Sequence, residues 1–474
     1  MITTQIETRA LATTEHWNRF LGDLRNFAAE PVPLETVGRL VRVAGLVLEA
    51  TGIRLPVGSV CEVRMDGAPP VTAEVVGFNG DRAYLMPTGD VHGLASGARV
   101  IPRPTPVVPM KLGAARHPWR RGEDRTLHLP VGDGLLGRVV DSHGHPMDRK
   151  GPLDLVHNEP LIRRPINAMD REPVRRPLDT GVRAINAMLT VGRGQRIGLF
   201  AGTGVGKSVL LGMMARYTEA DVIVVGLIGE RSREVTDFLE TKLSGPVRQK
   251  SVVVAVPADH PPVLRLRAAM RATAIAEYFR SLGKRVLLLV DSLTRVAHAQ
   301  REIGLSLGEP PTMKGYPPSA LGLIPRLVER AGADSRTGGS ITALYTVLAD
   351  GDDNADPIVD AARAIVDGHL VLSRSLAEQG VYPAIDVGKS LSRVMTDIVT
   401  PQHAAAAAAF KRLWSLYEEN RDLILMGAYR EGSDPSLDDA IRRHGELLDF
   451  VRQGQKERVP YDAAVAHIAE RFAR

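Results

Sequence analysis

The stretch AGTGVGKS at residues 201 to 208 constrains the fold of this chain more than any other feature. It has the arrangement of a P-loop, in which glycines let consecutive backbone N–H groups turn toward one anion and a lysine reaches the outer phosphates. Alanine stands at the first position, a variant that the motif admits. The apolar run QRIGLF precedes the loop and an apolar helical pattern follows it. The sequence therefore predicts a strand, a phosphate-binding loop and a helix. The residues expected to hold the nucleotide are Ala201, Gly202, Thr203, Gly204, Val205, Gly206, Lys207 and Ser208.

Two acidic residues follow other apolar runs and predict the rest of a magnesium nucleotide site. Asp291 ends the run KRVLLLVD, and Glu230 follows the run DVIVVGLIG. Ligands of parallel sheets gather beyond the carboxyl ends of the strands. We therefore expect Asp291 and the Ser208 hydroxyl to bind Mg²⁺, and Glu230 to orient and polarise water, with Arg231 and Glu234 close by.

The pattern of the remaining chain predicts an α/β fold with three main domains. Short β-rich runs joined at Asn79-Gly80-Asp81 predict a small N-terminal barrel over 31–102. Over 103–395, apolar strands alternate with helical segments, which is typical of a parallel sheet covered on both faces. The region 396–474 contains strong helix formers and predicts a helical domain.

Residues 1–30 form a fourth, short segment of different character. Apolar side chains recur there at helical spacing before a Pro-Val-Pro break, which predicts one amphipathic helix. Two interpretations remain open, packing on the neighbouring domain and binding of a partner protein. The apolar positions are Trp17, Phe20, Leu21, Leu24 and Phe27.

Composition excludes or disfavours several classes of protein. The 60 Lys and Arg residues only slightly outnumber the 55 Asp and Glu residues and are interleaved with them, which argues against nucleic-acid binding. No apolar run approaches the ~20 residues of a membrane helix, and the start of the chain lacks the features of a signal peptide. One cysteine, Cys61, fits a reducing compartment. We therefore expect a cytoplasmic protein.

The ordered set of motifs resembles a known family over roughly residues 30 to 474. The ATPases of type III protein export, relatives of the catalytic subunits of rotary ATP synthases, share these motifs, and the P-loop region is most similar to the flagellar branch. The resemblance implies a core of the RecA and rotary-ATPase type. The motifs are GTGVGKS, GLIGERSREV, LLLVDSLTRVAHAQREIGL, GYPPS, LVLSR and VYPAIDVGKSLSR.

The resemblance also implies roles for individual residues. Glu230 corresponds to the base that polarises the attacking water, Arg231 to a residue beside the γ-phosphate, and Lys207 to the lysine that takes part in catalysis. Tyr382 matches the aromatic residue that stacks on adenine. Arg393 matches the arginine that reaches into the neighbouring subunit's site.

The same resemblance implies a set of cofactors and partners. These are ATP and Mg²⁺, assembly into a homohexamer, and an elongated regulator at the N-terminal segment. A coiled-coil stalk protein in the ring channel, an export gate at the cytoplasmic face of the inner membrane, export chaperones and exported substrates are implied as well. The loop 314–319 would face the channel.

Four other functions are alternatives to that of a flagellar export ATPase. An injectisome export ATPase belongs to the same family. A subunit of a rotary ATP synthase is disfavoured because one chain carries both Glu230 and Arg393, as a homohexamer requires. An RNA translocase of the Rho type is disfavoured because the barrel region contains only Phe78 and Tyr84 as aromatic residues for stacking. A subunit that binds nucleotide without hydrolysing it is disfavoured because such subunits usually lack the catalytic glutamate, and Glu230 is present.

Overall fold

The computed structural model of the protein describes residues 36–103, 127–155, 157–349 and 356–472, together with residues 17, 18, 20–22 and 25. Some residues with a predicted role or structure lie outside these ranges. They include Leu24 and Phe27 of the N-terminal apolar stripe and residues 104–126 of the predicted domain over 103–395. Trp17, Phe20 and Leu21 of that stripe are helical and exposed.

Six antiparallel strands close into a barrel at the N-terminal end of the described chain, in the order β1-β2-β5-β4-β3-β6. Gly45, at a φ of 59°, lies in the turn between the antiparallel strands β1 and β2. The hairpin predicted at Asn79-Gly80-Asp81 joins β4 to β5. The strands are β1 (Gly38–Ala44), β2 (Val47–Thr51), β3 (Val60–Arg64), β4 (Val71–Asn79), β5 (Arg82–Pro87) and β6 (Arg99–Pro102).

A ten-stranded sheet forms the centre of the molecule, and its main path runs β18-β17-β11-β16-β14-β12-β13-β8. All strands from β17 to β8 along this path are parallel, and β18 is antiparallel. Strands β10 and β15 extend the sheet beside β16, and β7 pairs with β9 separately. The strands are β7 (His128–Val131), β8 (Val139–Val140), β9 (His157–Pro160), β10 (Arg171–Glu172), β11 (Arg196–Ala201), β12 (Val222–Ile228), β13 (Ser251–Val256), β14 (Arg285–Asp291), β15 (Gly332–Asp334), β16 (Ser340–Leu348), β17 (Gly368–Leu372) and β18 (Leu391–Ser392).

Helices cover both faces of this sheet and form the C-terminal region. Because β12 and β13 are buried along their whole length, both faces of the sheet need apolar cover, which explains the continuous apolar runs in the sequence. The helices are α1 (Arg183–Met188), α2 (Lys207–Tyr217), α3 (Ser232–Asp237), α4 (Pro246–Gln249), α5 (Pro262–Ser281), α6 (Leu293–Ser306), α7 (Pro318–Val328), α8 (Pro357–Ile365), α9 (Arg374–Glu378), α10 (Met395–Ile398), α11 (Pro401–Leu425), α12 (Pro435–Val451) and α13 (Tyr461–Phe472).

The three C-terminal helices α11, α12 and α13 pack beside the sheet region, and the connection between α12 and α13 makes buried polar contacts with the residues around α1. Gln453 accepts a hydrogen bond from the backbone N–H of Arg183 at 2.7 Å and donates one to the carbonyl of Gly181 at 2.8 Å. Asn186 donates to the carbonyl of Val459 at 3.1 Å. The predicted architecture of barrel, parallel-sheet core and helical C-terminal region is therefore confirmed. None of the helices in the described ranges is long and apolar enough to cross a bilayer.

Candidate functional site

The predicted phosphate-binding loop connects the end of β11 to the start of α2. Gly204 and Gly206 have φ values of 80° and 90°, which residues with a Cβ rarely adopt. Gly206 is the N-cap of α2, so the first N–H groups of that helix are left without helical partners. Ser208 lies in the first turn of α2 and is exposed. The loop thus has the backbone shape and the helix N-terminus that bind phosphate groups.

Lys207 and Asp291 meet at the carboxyl edge of the sheet. The Lys207 ammonium donates to Asp291 Oδ1 at 2.6 Å, and the Thr346 hydroxyl donates to the same oxygen at 2.6 Å. Asp291 ends β14, and Thr346 lies on the neighbouring strand β16, so adjacent strands fix the carboxylate. Both contacts go to Oδ1, which leaves Oδ2 as the oxygen that can face a cation.

Glu230 completes this acidic group from the next strand. It follows β12, is 8 % exposed, and its Oε1 lies 3.5 Å from the Lys207 ammonium. Burial, followed by the negative charge of Asp291, raises the pKa of Glu230 to about 7, although Lys207 acts in the opposite direction. Burial by itself lowers the pKa of the Lys207 ammonium, but the neighbouring carboxylates of Asp291 and Glu230 outweigh this effect, so the pKa is raised. The structure therefore brings together three of the predicted site residues.

Arg231 is placed differently from these three residues. Its side chain is exposed, and its guanidinium lies 3.6 Å from the Glu234 carboxylate, one turn further along the chain. The Glu234 carboxyl in turn hydrogen-bonds Glu230 and contributes to its raised pKa. Arg231 therefore lies beside the acidic group but is directed to the surface.

Tyr382 borders the phosphate-binding loop on its exposed side. A Cβ added to Gly206 would lie 3.4 Å from two carbon atoms of the Tyr382 ring. Tyr382 is 43 % exposed, and its carbonyl accepts a hydrogen bond from the backbone N–H of Gln453 at 2.8 Å. The aromatic face is thus held beside the loop and is accessible to a planar group.

Arg393 lies far from the loop of its own chain. Its backbone N–H donates to the carbonyl of Asp367 at 3.0 Å, and the Asp367 carboxylate pairs with Arg196 at the start of β11. The phosphate-binding loop follows the opposite end of β11, about 17 Å away at a rise of about 3.3 Å per residue. The exposed guanidinium of Arg393 donates to the carbonyl of Arg363 at 3.3 Å. The structure does not bring Arg393 to the site within one chain.

Two residues at the site were not predicted from the sequence. Thr346 lies within a continuous apolar strand and carries no local motif. Arg295 lies on α6, one turn after Asp291, and a Cβ added to Gly229 would lie 3.0 Å from its Cβ. The Nε atom of Arg295 is buried and has no hydrogen-bond partner among the described residues. The motif VDSLTR contains Arg295, so its spacing from Asp291 could have identified it.

Three family models match successive parts of the chain. The beta-barrel domain of the ATP synthase alpha/beta family matches residues 40–103, and the nucleotide-binding domain of the same family matches residues 181–392. The C-terminal domain of the type III secretion ATPase EscN matches residues 399–470.

Relatives of known identity match nearly the whole chain. It is 54 % identical over 455 residues to the "Flagellum-specific ATP synthase" of Salmonella typhimurium, which covers 95 % of this chain and 97 % of the relative. The assembled ATPase EscN of the enteropathogenic E. coli type III secretion system is 39 % identical, with a TM-score of 0.83, covering 92 % of this chain and 100 % of that one. The structure of EscN in complex with its central stalk EscO matches with 38 % identity, a TM-score of 0.78 and the same coverage.

Proposed function

This chain belongs to the ATP synthase alpha/beta family, in its branch of flagellum-specific and type III secretion ATPases, and we propose that it is the ATPase that energises protein export through the flagellar type III apparatus. Three relatives that match nearly the whole chain are named as flagellum-specific. The observation that carries the enzymatic part is the meeting of Lys207, Glu230 and Asp291 at one sheet edge beside the P-loop. This set of groups supplies both binding and hydrolysis.

The loop and its neighbours account for binding of ATP. Backbone N–H groups at the start of α2 face the phosphates, and the Lys207 ammonium leaves Asp291 to contact the outer phosphates. Asp291 Oδ2 and the Ser208 hydroxyl are the oxygen donors that fit Mg²⁺, which prefers such ligands. When bound, Mg²⁺ neutralises charge on the phosphates. The Tyr382 ring offers a face on which adenine stacks.

Glu230 accounts for hydrolysis. Its carboxylate accepts a hydrogen bond from a water molecule whose oxygen attacks the γ-phosphorus, while the bond from that phosphorus to the β–γ bridging oxygen breaks. The water proton passes toward Glu230, and ADP leaves with the bridging oxygen. A pKa of about 7 suits this role, because the carboxylate is then both partly ionised near neutral pH and basic enough to accept a proton.

The position of Arg393 supports a ring in which each site is built from two subunits. Within one chain the guanidinium lies at the opposite end of β11 from the loop, so a contribution to phosphoryl transfer requires a neighbour's loop. We propose a homohexamer, by analogy with the assembled EscN.

The partners are proposed on the same basis. A coiled-coil stalk protein in the ring channel corresponds to the EscO stalk bound to EscN. We further propose an elongated regulator at residues 1–30, export chaperones with their substrates, and docking at the export gate on the cytoplasmic face of the inner membrane. The loop 314–319 would contact the stalk or substrate within the channel.

Secretion by a complemented strain tests the proposed function. A flagellated bacterium lacking its own export ATPase is supplied with this chain, and hook and filament proteins are measured in the medium. Wild type should restore secretion, whereas Glu230→Gln should not, although both are present at equal levels. Purified protein that hydrolyses ATP but fails to restore any secretion would contradict the export function while leaving the ATPase assignment intact.

A further inference from the structure

The tight turn that follows β8 gathers two histidines and one aspartate outside the nucleotide site. One ligand atom from each of Asp141, His143 and His145 lies within 4.8 Å of the others. In the described ranges, no other group of three or more His, Cys, Asp or Glu side chains is close enough to hold a metal ion. The side chains of Asp141 and His143 are 30 % exposed, and that of His145 is 78 % exposed. Solvent can therefore reach the space between them.

Hydrogen bonds within the turn hold the aspartate in one orientation. Asp141 Oδ1 accepts the backbone N–H groups of His143 and His145, both at 2.8 Å. The backbone N–H of Asp141 donates to the carbonyl of His145 at 3.0 Å, which closes the turn. Since Oδ1 is occupied, the second oxygen of the carboxylate is directed toward the two imidazole rings.

The rings themselves are arranged as a pair of ligands. Asp141 Oδ2 lies 3.2 Å from His145 Nδ1 and 4.0 Å from His143 Nδ1. The two rings are stacked, with centroids 5.7 Å apart and planes inclined by 19°. Tetrahedral Zn²⁺ with nitrogen and oxygen ligands at about 2.0–2.1 Å has ligand atoms about 3.4 Å apart. The distance from Asp141 to His145 already suits this geometry, and His143 closes it by moving toward Asp141 and His145 from a group whose ligand atoms lie within 4.8 Å.

The backbone of the turn is fixed from outside by Arg271 on α5. Its buried guanidinium donates to the carbonyl of Ser142 at 3.1 Å and to the carbonyl of His143 at 2.7 Å. Gly144 has a φ of 90°, and an added Cβ would lie 2.2 Å from Arg271 Nη1, so only glycine fits at this position. The three ligand residues are thus carried on a backbone that is already ordered.

We propose that Asp141, His143 and His145 bind one Zn²⁺ ion, with water completing the coordination. Imidazole nitrogens with one carboxylate oxygen are a ligand set that Zn²⁺ accepts and that Mg²⁺, which prefers oxygen, does not. On binding, the ring proton of each histidine resides on Nε2, so that Nδ1 donates its lone pair to the metal. The guanidinium of Arg271 lies nearby and its charge opposes that of the ion, so the site is weaker than a closed structural zinc site. The proposal does not depend on ATP hydrolysis.

Metal binding to the full chain tests this proposal. Protein without nucleotide is dialysed against Zn²⁺ in excess Mg²⁺, which competes for the oxygen ligands of the nucleotide site, and bound zinc is measured by atomic emission. Wild type should bind one equivalent of zinc, and the double variant His143→Gln/His145→Gln should bind none. Asp141→Asn keeps an oxygen that can accept the turn's N–H groups but loses the charge of Oδ2, so its affinity should fall at least about tenfold.

A matched control uses another histidine beside an aspartate. His92 lies 3.8 Å from Asp90 and has no third ligand among the residues that the structure describes, so His92→Gln should bind zinc as wild type does. Thermal unfolding gives a second readout, because a ligand that binds only the folded state raises the melting temperature. Zinc should raise it in wild type and in His92→Gln but not in the double variant. Equal zinc binding by wild type and the double variant, or none by wild type, would overturn the proposal.

Discussion

The Lys207 ammonium lies 2.6 Å from Asp291 Oδ1 and 3.5 Å from Glu230 Oε1, so one cation links the two carboxylates of the site. The two acidic groups would otherwise repel each other across a buried space. In the proposed function, Lys207 exchanges these carboxylate contacts for contacts with phosphate oxygens when ATP binds. This exchange is the basis of the first prediction.

Replacing Lys207 should weaken nucleotide binding before it affects any later step. A hydrogen bond to a charged group contributes about 1.5–3 kcal/mol, so Lys207→Met should weaken MgATP binding about 10- to 100-fold. Fluorescence titration with an ATP analogue measures the change. Lys284→Met, on an exposed lysine immediately before β14, is the control and should bind as wild type does. Unchanged affinity in Lys207→Met would contradict the placement of Lys207 on the phosphates.

Glu230→Gln should separate binding from hydrolysis. The amide keeps the size of the side chain but cannot accept the water proton, so the variant should bind MgATP and hydrolyse it at least about 100-fold more slowly. Phosphate release measures the rate, and a binding titration verifies the affinity. Glu240→Gln, on an exposed glutamate, serves as the control. Equal rates for Glu230→Gln and wild type would rule out Glu230 as the base.

The raised pKa of Glu230 predicts a pH dependence. The base acts in its ionised form, so kcat/KM should rise with pH through about 7 and then level off. Glu234 hydrogen-bonds Glu230 and raises its pKa, so in Glu234→Gln the rise should occur at lower pH. Rates measured between pH 5 and pH 9 at constant ionic strength give both midpoints. A profile that does not shift in Glu234→Gln would show that this neighbour does not tune the base.

Tyr382 should contribute to affinity and not to the chemical step. Stacking of a base on an aromatic side chain is worth about 1–3 kcal/mol, so Tyr382→Ala should raise the KM for ATP at least about fivefold with little change in kcat. Tyr382→Phe keeps the ring and should behave as wild type does. If both variants have the KM of wild type, adenine binds elsewhere.

The parts of the site that the sequence predicts are those with a local signal. Gly204, Gly206 and Lys207 stand at fixed spacings because the backbone of the loop requires them. Asp291 and Glu230 are recognisable because each interrupts an apolar run at the end of a buried strand. These signals need no knowledge of which strands are neighbours.

The parts that the sequence does not predict depend on contacts between distant segments. Thr346 fixes Asp291 only because β16 lies beside β14, and nothing in the run ITALYTVLAD marks that residue. The short strands β8, β10 and β15 have two or three residues each and too little apolar pattern to be recognised. The approach of His143 and His145 to Asp141 likewise depends on the fold of one turn and its contact with Arg271.

Arg393 tests whether the active site is shared between subunits. Within one chain it lies at the start of β11 and β17, whereas the loop follows the end of β11. If Arg393 contacts the γ-phosphate bound to a neighbour, Arg393→Ala should keep nucleotide binding and lose about 10³–10⁵-fold in turnover, the range found for arginine fingers. Activity per chain should also rise with protein concentration in wild type, because hydrolysis then requires assembly.

Mixing two inactive proteins makes the test decisive. Glu230→Gln and Arg393→Ala are combined under conditions in which subunits exchange. In mixed rings, some interfaces join an intact Glu230 of one subunit to an intact Arg393 of the next, so part of the activity should return. Each variant alone, at the same total protein concentration, is the control and should stay inactive. A mixed ring contains interfaces at which an intact Glu230 of one subunit faces an intact Arg393 of its neighbour. If mixed rings are shown to form and yet remain inactive, these intact pairs do not restore hydrolysis, and Arg393 does not act across the interface.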